Sequence, residues 1–305
     1  MSGTADALPL TFEPWSRATA DAVLGALDSA VHWSVAQGRH LLGPDEDGVA
    51  FRRARLVRAA ATGEPVGFVV VRRTNDDPHW LWAHTEIVPE YRGRGLGAAA
   101  LAHMSELVAG THRGMRGKAV TGSAEHRWMT AHGFRRAQRH RTFRVRPGAL
   151  GPVSHGYALE WFDGATGPVP DDAVRAWGDF LDATNWWHTP ERTPLEQLRP
   201  YIDDRSDAPF VTARRPDGAV AGVAFLDDPF HGSDLDFSGG AVDPADPDAR
   251  TIAAALLRLC GERLPEHDLL LELGDIHGET VALAEDIAAA VEDDAVFCER
   301  PDRAA

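Results

Sequence analysis

The chain has 305 residues, which exceeds the length at which a single hydrophobic core usually stops growing, so we expect two domains of about 150 residues each. Hydrophobic residues make up 44% of the sequence, and neither a run of about 20 apolar residues nor an N-terminal signal pattern occurs. This argues against a membrane protein and favours a soluble, cytoplasmic one. Cys260 and Cys298 form neither a CxxC motif nor a disulfide framework, so reduced structural thiols are expected.

Charge is divided unevenly between the two halves of the chain. Residues 1–150 carry 20 basic and 14 acidic side chains, whereas residues 151–305 carry 11 and 32. The basic half suits a small anionic ligand, and the acidic half could steer a cationic substrate. The basic residues form no dense cluster interleaved with aromatic residues, so nucleic-acid binding is not expected.

The predicted elements occur twice, in the same order. In the first copy these are strands 10–15, 67–71 and 80–88, helix 98–108, strand 117–120, helix 126–132 and strand 134–145. In the second copy they are strands 157–162, 222–225 and 234–242, helix 252–259, strand 269–273 and helix 280–291. One offset of 155 positions registers the two copies, since the 22-residue spacing from Gly67 to Pro89 recurs from Gly222 to Pro244. We therefore predict a mixed α/β fold, a mixed sheet flanked by helices, in two tandem domains over residues 1–148 and 149–305.

The segment Arg92-Gly93-Arg94-Gly95-Leu96-Gly97 follows a predicted strand and opens a helix. The first amide groups of a helix have no intrahelical partner and the helix dipole is positive there, so such a turn can bind an anion. Gly95 and Gly97 would let the backbone approach a diphosphate, and the two arginines would add charged hydrogen bonds. The alternative is an ordinary tight turn. Neither Gly-Lys-Ser/Thr nor GxGxxG is present, which argues against Walker-type nucleotide and dinucleotide binding.

The stretch from Thr85 to Gly97, TEIVPEYRGRGLG, resembles the coenzyme A-binding motif of the Gcn5-related N-acetyltransferase (GNAT) superfamily. Residues 128–134, WMTAHGF, resemble the helix ending in Gly-Phe of the same family. The resemblance covers roughly residues 9–146, and the repeat extends it to two tandem acyl-CoA N-acyltransferase-like domains, an arrangement known in the superfamily. It implies acetyl-CoA, or another acyl-CoA, as co-substrate.

The resemblance also implies which residues hold the co-substrate. The main chain of Ile87 and Val88, where the strand leaves its neighbour, would pair with the pantetheine arm. The diphosphate would lie on Arg92, Gly93, Arg94, Gly95, Leu96, Gly97 and Ala98.

The second copy lacks this loop. The offset of 155 puts Pro247 at Arg92, Arg250 at Gly95 and Ile252 at Gly97, with Asp243, Asp246 and Asp248 around them. Carboxylates and a β-branched residue would repel a diphosphate. We therefore expect acyl-CoA in the first domain only, with the second a degenerate domain that completes the substrate cleft.

Glu86 and His84 are the candidates for the base that removes the amine proton during acyl transfer. Strand alternation puts both on one face. The alternative is that they are solvated or packed strand residues, because the usual base positions of the family fall nearer Leu81 and Ala83, which are apolar. Met129 occupies the position of the tyrosine with which many family members protonate the leaving thiolate, so the resemblance supplies no general acid.

Other polar clusters are less specific. Ser123 is expected to cap a helix. The segments His32-Trp33 and Trp186-Trp187-His188 could line an amine pocket or pack in a core. Asp275-x-His277 and His231 match no metal-site spacing, so no metal is expected.

Two functions of different classes follow. The first is transfer of an acetyl or other small acyl group, directly in a ternary complex, to an amine of a small molecule, with a cationic acceptor suited to the acidic half. Transfer to a hydroxyl or to a protein amine is a variant of this reaction. The second is a non-catalytic acyl-CoA-binding or interaction protein, which the missing tyrosine favours. The sequence does not indicate an oligomeric state.

Overall fold

The computed structural model describes residues 8–27, 37–73, 80–111, 113–163, 165–184, 193–205, 208–227 and 234–301. The chain forms two compact units. The first comprises Met1–Ala137 with Ala295–Ala305, and the second comprises Gln138–Asp294.

The first unit is built around a mixed sheet. Its elements are strand β1 (Leu10–Pro14), helix α1 (Arg17–Ala26), 3-10 helices at Gln37–Leu41 and Gly48–Ala50, strands β2 (Arg52–Ala59), β3 (Pro65–Arg72) and β4 (Trp80–Ile87), a 3-10 turn (Pro89–Tyr91), helix α2 (Leu96–Leu107), strand β5 (Gly114–Val120) and helix α3 (Ala124–Ala131). The strands lie in the order β1-β2-β3-β4-β5. Neighbours are antiparallel except β4 and β5, which are parallel.

Strand β3 is buried on both faces, which explains its continuous run of apolar residues. Alternate side chains of a strand point to opposite faces. Val69 packs in a core with Leu101 and Met104 of α2, whereas Phe68 packs in another with Val23 of α1. Helices therefore cover both faces of the sheet, as the sequence predicts.

The second unit repeats this plan. Its elements are strand β6 (Arg135–Val145), which begins in the first unit, strand β7 (Ala158–Phe162), helices α4 (Asp171–Thr184) and α5 (Leu195–Asp203), strands β8 (Phe210–Arg214), β9 (Val220–Asp227) and β10 (Leu235–Ala241), helix α6 (Ala249–Arg263), strand β11 (Leu269–Gly274), helix α7 (Gly278–Ile287) and strand β12 (Ala290–Arg300), which ends in the first unit. The order in the sheet is β6-β11-β10-β9-β8-β7, with β10 and β11 parallel.

Details of the second unit confirm that it repeats the first. Strand β9 is buried on both faces, with Leu226 in one core and Phe225 in another. The ladder between β2 and β3 skips one residue after Val57, and the ladder between β8 and β9 skips one after Ala213. The predicted mixed α/β fold of two tandem units is therefore confirmed.

The strands that complete the strand order within each unit come from distant parts of the chain. Residues 295–300 of β12 pair with β5 in the first unit, where Arg300 lies opposite Met115. Residues 140–145 of β6 pair with β11 in the second unit, where Val145 lies opposite Leu269. The sequence identifies residues 134–145 as a strand but places them in the first copy, since a burial pattern does not specify a neighbouring strand. The units therefore divide at Gln138 and not at residue 149, and residues 295–305 return to the first unit.

None of the described helices is long and apolar enough to cross a membrane. Both cysteines are free and buried, and burial raises the pKa of Cys298 to about 11.

Candidate active site

The loop between β4 and α2 depends on two glycines. Gly93 and Gly95 adopt φ values of 76° and 78°, which other residues rarely adopt, and Gly95 caps α2 from this left-handed conformation. A side chain at Gly93 would meet no atom within 4 Å. Both glycines are therefore required by the backbone conformation of the loop, and at Gly93 close packing plays no part.

The loop leaves backbone donors without partners. Within the described residues, the amides of Gly95, Leu96 and Gly97 donate no hydrogen bond, whereas the Ala98 amide already donates to the Gly95 carbonyl over 3.1 Å. Orphan amides at the positive end of a helix dipole are suited to hold an anion such as a diphosphate. The loop thus fits the group that its sequence predicts.

The two arginines of the loop are exposed and held close to it. Arg92 Nε donates to the Ile87 carbonyl over 2.8 Å, and Arg94 Nη2 donates to the Glu90 carbonyl over 2.9 Å. The guanidinium of Arg94 also lies 5.2 Å from the centre of the Tyr91 ring. Each guanidinium uses one nitrogen in these bonds, which leaves further N–H groups that can reach an anion.

Strand β4 leaves its parallel neighbour halfway along its length. It pairs with β5 from Trp80 to Trp82, but with β3 it pairs as far as Ile87. Because the Val88 amide donates to the Val66 carbonyl over 2.9 Å, alternation along an antiparallel ladder turns the amide of Ile87 towards the edge that β5 has left. Of the two residues predicted to pair with pantetheine, Ile87 thus presents an N–H at the open edge, whereas the N–H of Val88 is used within the sheet.

His84 and Glu86 lie on one face of β4 and contact each other, with His84 Nε2 3.0 Å from Glu86 Oε1. A residue absent from the sequence prediction joins them. Arg39, on the 3-10 helix Gln37–Leu41, donates from Nε to Glu86 Oε1 over 2.8 Å and from Nη2 to Glu86 Oε2 over 2.7 Å. The three side chains form a cluster in which the Glu86 carboxylate lies between a guanidinium and an imidazole.

The cluster holds Glu86 in its ionised form. Burial by itself would raise the pKa of Glu86, but hydrogen bonds from Arg39 and His84, together with their charges, lower this pKa from 4.5 to about 2. So acidic a carboxyl group is a weak base at neutral pH. An ionised Glu86 accepts the Nε2–H of His84, which leaves Nδ1 as the proton acceptor of the neutral ring.

Met129 lies beside the position where β4 and β5 separate. A side chain at Gly117 of β5 would come within 3.0 Å of Met129 Cε and 3.3 Å of the Ala83 carbonyl. A buried thioether has no proton to donate. The neighbouring Trp128 packs against α2, where a side chain at Gly97 would come within 3.0 Å of its Nε1.

The second unit has the same opening but different residues around it. Strand β10 pairs with β11 only at Leu235 and Asp236. Because Ala241 lies opposite Gly222 as Ile87 lies opposite Gly67, the positions of His84 and Glu86 are taken by Ser238 and Gly240.

The loop of the second unit uses its own carboxylates as caps. Helix α6 begins after Asp248, which stands where Gly95 stands before α2, so the sequence offset of 155 falls to 153 here. The Asp248 amide donates to Asp246 Oδ1 over 2.8 Å, and the Ala245 amide donates to Asp243 Oδ1 over 2.9 Å. The Ala249 amide donates to the Asp246 carbonyl over 2.9 Å, so the amides of Asp248 and Ala249, which correspond to those of Gly95 and Leu96, are occupied.

The remaining predicted residues divide into two groups. Ser123 caps α3, since its hydroxyl accepts from the His126 amide over 3.0 Å. His277 is buried, and burial, with a smaller effect of His140, lowers its pKa to about 4. No group of three or more His, Cys, Asp or Glu side chains that could hold a metal occurs in the described part of the chain. His32, Trp33, Trp186, Trp187, His188 and His231 lie outside the described residues.

A strand that leaves its parallel neighbour, followed by a glycine loop and a helix whose first amides are open, defines the class of acyl-CoA N-acyltransferase folds. Residues 27–134 match the family model described as the acetyltransferase (GNAT) family, so this part of the chain is similar to the acyl-transferring enzymes of that family.

Solved structures share the fold over nearly the whole chain. A GCN5-related N-acetyltransferase from Sphaerobacter thermophilus is 17% identical, with a TM-score of 0.63 over 97% of each chain. A tandem GNAT protein from the clavulanic acid biosynthesis pathway is 17% identical, with a TM-score of 0.60 over 96% of this chain and 99% of that one. A GCN5-related N-acetyltransferase from Anabaena variabilis is 11% identical, with a TM-score of 0.52 over 97% and 74%. No curated protein matches the sequence.

Proposed function

We propose that the first unit transfers an acetyl or other small acyl group from acetyl-CoA to an amine of a small-molecule acceptor, directly in a ternary complex. The observation that carries this proposal is the combination of an open anion-binding loop with a histidine and an ionised carboxylate on the same strand, β4. Residues Arg92, Gly93, Arg94, Gly95, Leu96, Gly97 and Ala98 would hold the diphosphate, and Ile87 and Val88 would contact the pantetheine arm.

His84 is the proposed base. The amine nitrogen attacks the thioester carbonyl carbon, the carbon–sulfur bond breaks, and coenzyme A leaves as a thiolate. The proton lost by the amine passes to His84 Nδ1, directly or through water. Solvent protonates the thiolate, since Met129 cannot. Glu86 remains ionised and orients the imidazole.

The acceptor is proposed to be a small primary amine with a further positive charge. The support is electrostatic, since residues 151–305 carry 32 acidic against 11 basic side chains. The two free, buried thiols agree with a cytoplasmic location, which forms part of the same proposal.

Release of free thiol from acetyl-CoA, measured against a panel of mono- and polyamines, amino sugars and amino alcohols, tests the reaction. We expect release with at least one cationic amine, and at least about a 100-fold loss of kcat in His84→Phe with little change in acetyl-CoA affinity. Binding of acetyl-CoA without thiol release across the panel would instead favour a non-catalytic acyl-CoA-binding protein, for which the buried Met129 is the supporting observation.

A further inference from the structure

We propose that Arg39 is a positioning residue of this site, which fixes the tautomer of His84 and sets the pH range of activity by holding Glu86 in place as an anion. The inference rests on the proposed acyl transfer for its kinetic consequences, but its structural part concerns the His84 ring alone. The described side-chain hydrogen bonds of Arg39 go to Glu86, so its role is argued through that carboxylate.

The hydrogen bonds between Arg39 and Glu86 hold the Glu86 carboxylate in one orientation. Both carboxylate oxygens accept from Arg39, over 2.8 and 2.7 Å, and Oε1 is shared with His84 Nε2 at 3.0 Å. The Glu86 side chain is 5% exposed and that of His84 13%, so water competes weakly for these bonds. A planar guanidinium that binds two oxygens prevents the carboxylate from rotating away from the imidazole, which a lysine ammonium could not do.

The backbone around Arg39 is shaped to fit the His84 ring. A side chain at Gly38 would lie 2.3 Å from His84 Cγ, a distance that no side-chain atom can occupy. Glycine at this position therefore lets the 3-10 helix Gln37–Leu41 pack directly on the imidazole. The next residue, Arg39, is thereby placed within reach of Glu86.

The charged groups of the described cluster are Glu86 and Arg39. On its own strand the His84 ring contacts Glu86, and Arg39 of the 3-10 helix binds that carboxylate. Strand β3 contributes Phe68, whose ring centre is 5.6 Å away, and Val70, which lies opposite in the ladder. Neither carries a charge. Among the described residues, Glu86 would attract a protonated ring, and Arg39, bound to the same carboxylate, would oppose that attraction.

The opposite charges of Glu86 and Arg39 predict opposite shifts of the pH profile when either residue is replaced. In Arg39→Met the uncompensated carboxylate favours the protonated ring, so the acid limb of the kcat/KM profile should move to higher pH. In Glu86→Gln the uncompensated guanidinium disfavours the protonated ring, so the acid limb should move to lower pH. The acid limb of the double variant, Arg39→Met with Glu86→Gln, should lie between those of the two single variants.

The test combines pH profiles with a measurement that needs no turnover. Nitrogen-15 NMR of the histidine rings, with the His84 signal assigned through His84→Gln, should show protonated Nε2 in the wild type at pH 8. It should show a mixture of tautomers in Glu86→Gln. Arg58→Met is the matched control, because Arg58 is similarly exposed at 23% and pairs with Glu13 away from β4. Arg58→Met should change neither the pH profile nor the tautomer of His84.

Acid limbs that stay in place in both single variants, or a His84 tautomer that does not change in Glu86→Gln, would overturn the proposal. A wild-type tautomer with protonated Nδ1 would overturn it as well. If the tautomer behaves as stated but no amine yields thiol, the proposed acyl transfer fails and the positioning role of Arg39 stands. The two failures are therefore distinguishable.

Discussion

In the first unit the loop from Val88 to α2 ends in amides that donate to no group among the described residues, whereas in the second unit the loop from Val242 to α6 caps its amides with Asp243 and Asp246. Both loops solve the same problem, since the first turn of a helix always has orphan donors and a positive field. The second places the carboxylate of Asp246 against the amide of its N-cap residue, Asp248, whereas the first has Gly95 at that position, with an amide that donates to no described group.

The strands that precede the two loops share their pairing pattern but carry different side chains. Both β4 and β10 leave a parallel neighbour, so the second unit keeps the opening in which a thioester could lie. It has Ser238 and Gly240 where the first unit has His84 and Glu86. The scaffold is thus shared, while the groups proposed to bind an anion and to move a proton are found in the first unit.

The largest effect is expected when the aspartate that precedes α6 in the second loop, Asp248, is placed at the equivalent position of the first loop, Gly95. Gly95→Asp should weaken acetyl-CoA binding by at least about 100-fold, because aspartate is strained at a φ of 78° and brings a negative charge to the diphosphate position. Calorimetric titration measures the loss. Gly110→Asp is the matched control, since Gly110 has a φ of 82°, close to the 78° of Gly95, no atom within 4 Å of an added side chain, and a place beyond the other end of α2. Equal affinity in the two variants would refute the assignment of the loop.

A second test concerns the strand that returns to the first unit. Arg116 of β5 is fully buried and its Nη2 lies 2.5 Å from Oε1 of Glu299 on β12. Glu299→Gln should lower the free energy of unfolding by about 2 kcal/mol, because it removes the carboxylate from a buried guanidinium. Urea unfolding followed by tryptophan fluorescence measures it.

The matched control is an exposed ion pair within the second unit, Arg258 with Glu262 on α6. Glu262→Gln should cost less than about 0.5 kcal/mol. If the two variants lost the same stability, the return of β12 would not be what holds β5 in the sheet.

A third, smaller effect is the pH dependence of stability that Glu86 provides. Because folding lowers its pKa from 4.5 to about 2, its contribution is fully present above pH 4.5 and is lost as the pH falls towards 2. Glu86→Gln should therefore lose less free energy of unfolding than the wild type across this window, by at most about 3 kcal/mol. Its melting temperature should accordingly fall less steeply as the pH is lowered. Arg39→Met should remove most of the same dependence. Parallel curves for the wild type and Glu86→Gln would contradict the pKa of about 2.

Local patterns in the sequence predicted the part of the site that lies on one continuous segment. Alternation along β4 put His84 and Glu86 on one face, and the spacing of the glycines marked the strand–loop–helix. Arg39 was not predictable in this way, since it lies 47 positions from Glu86 in a segment without periodicity. The pairing of residues 140–145 with β11 was missed for a related reason, because apolar alternation identifies a strand but not its neighbour.

The number of acetyl-CoA molecules bound per chain tests the central claim most directly. Isothermal titration of the wild-type chain should give one site, and Gly95→Asp should remove it. Two sites per chain would show that the acidic loop of the second unit also binds the co-substrate. A single site that survives Gly95→Asp would place it away from the loop of the first unit, and either result would contradict the account.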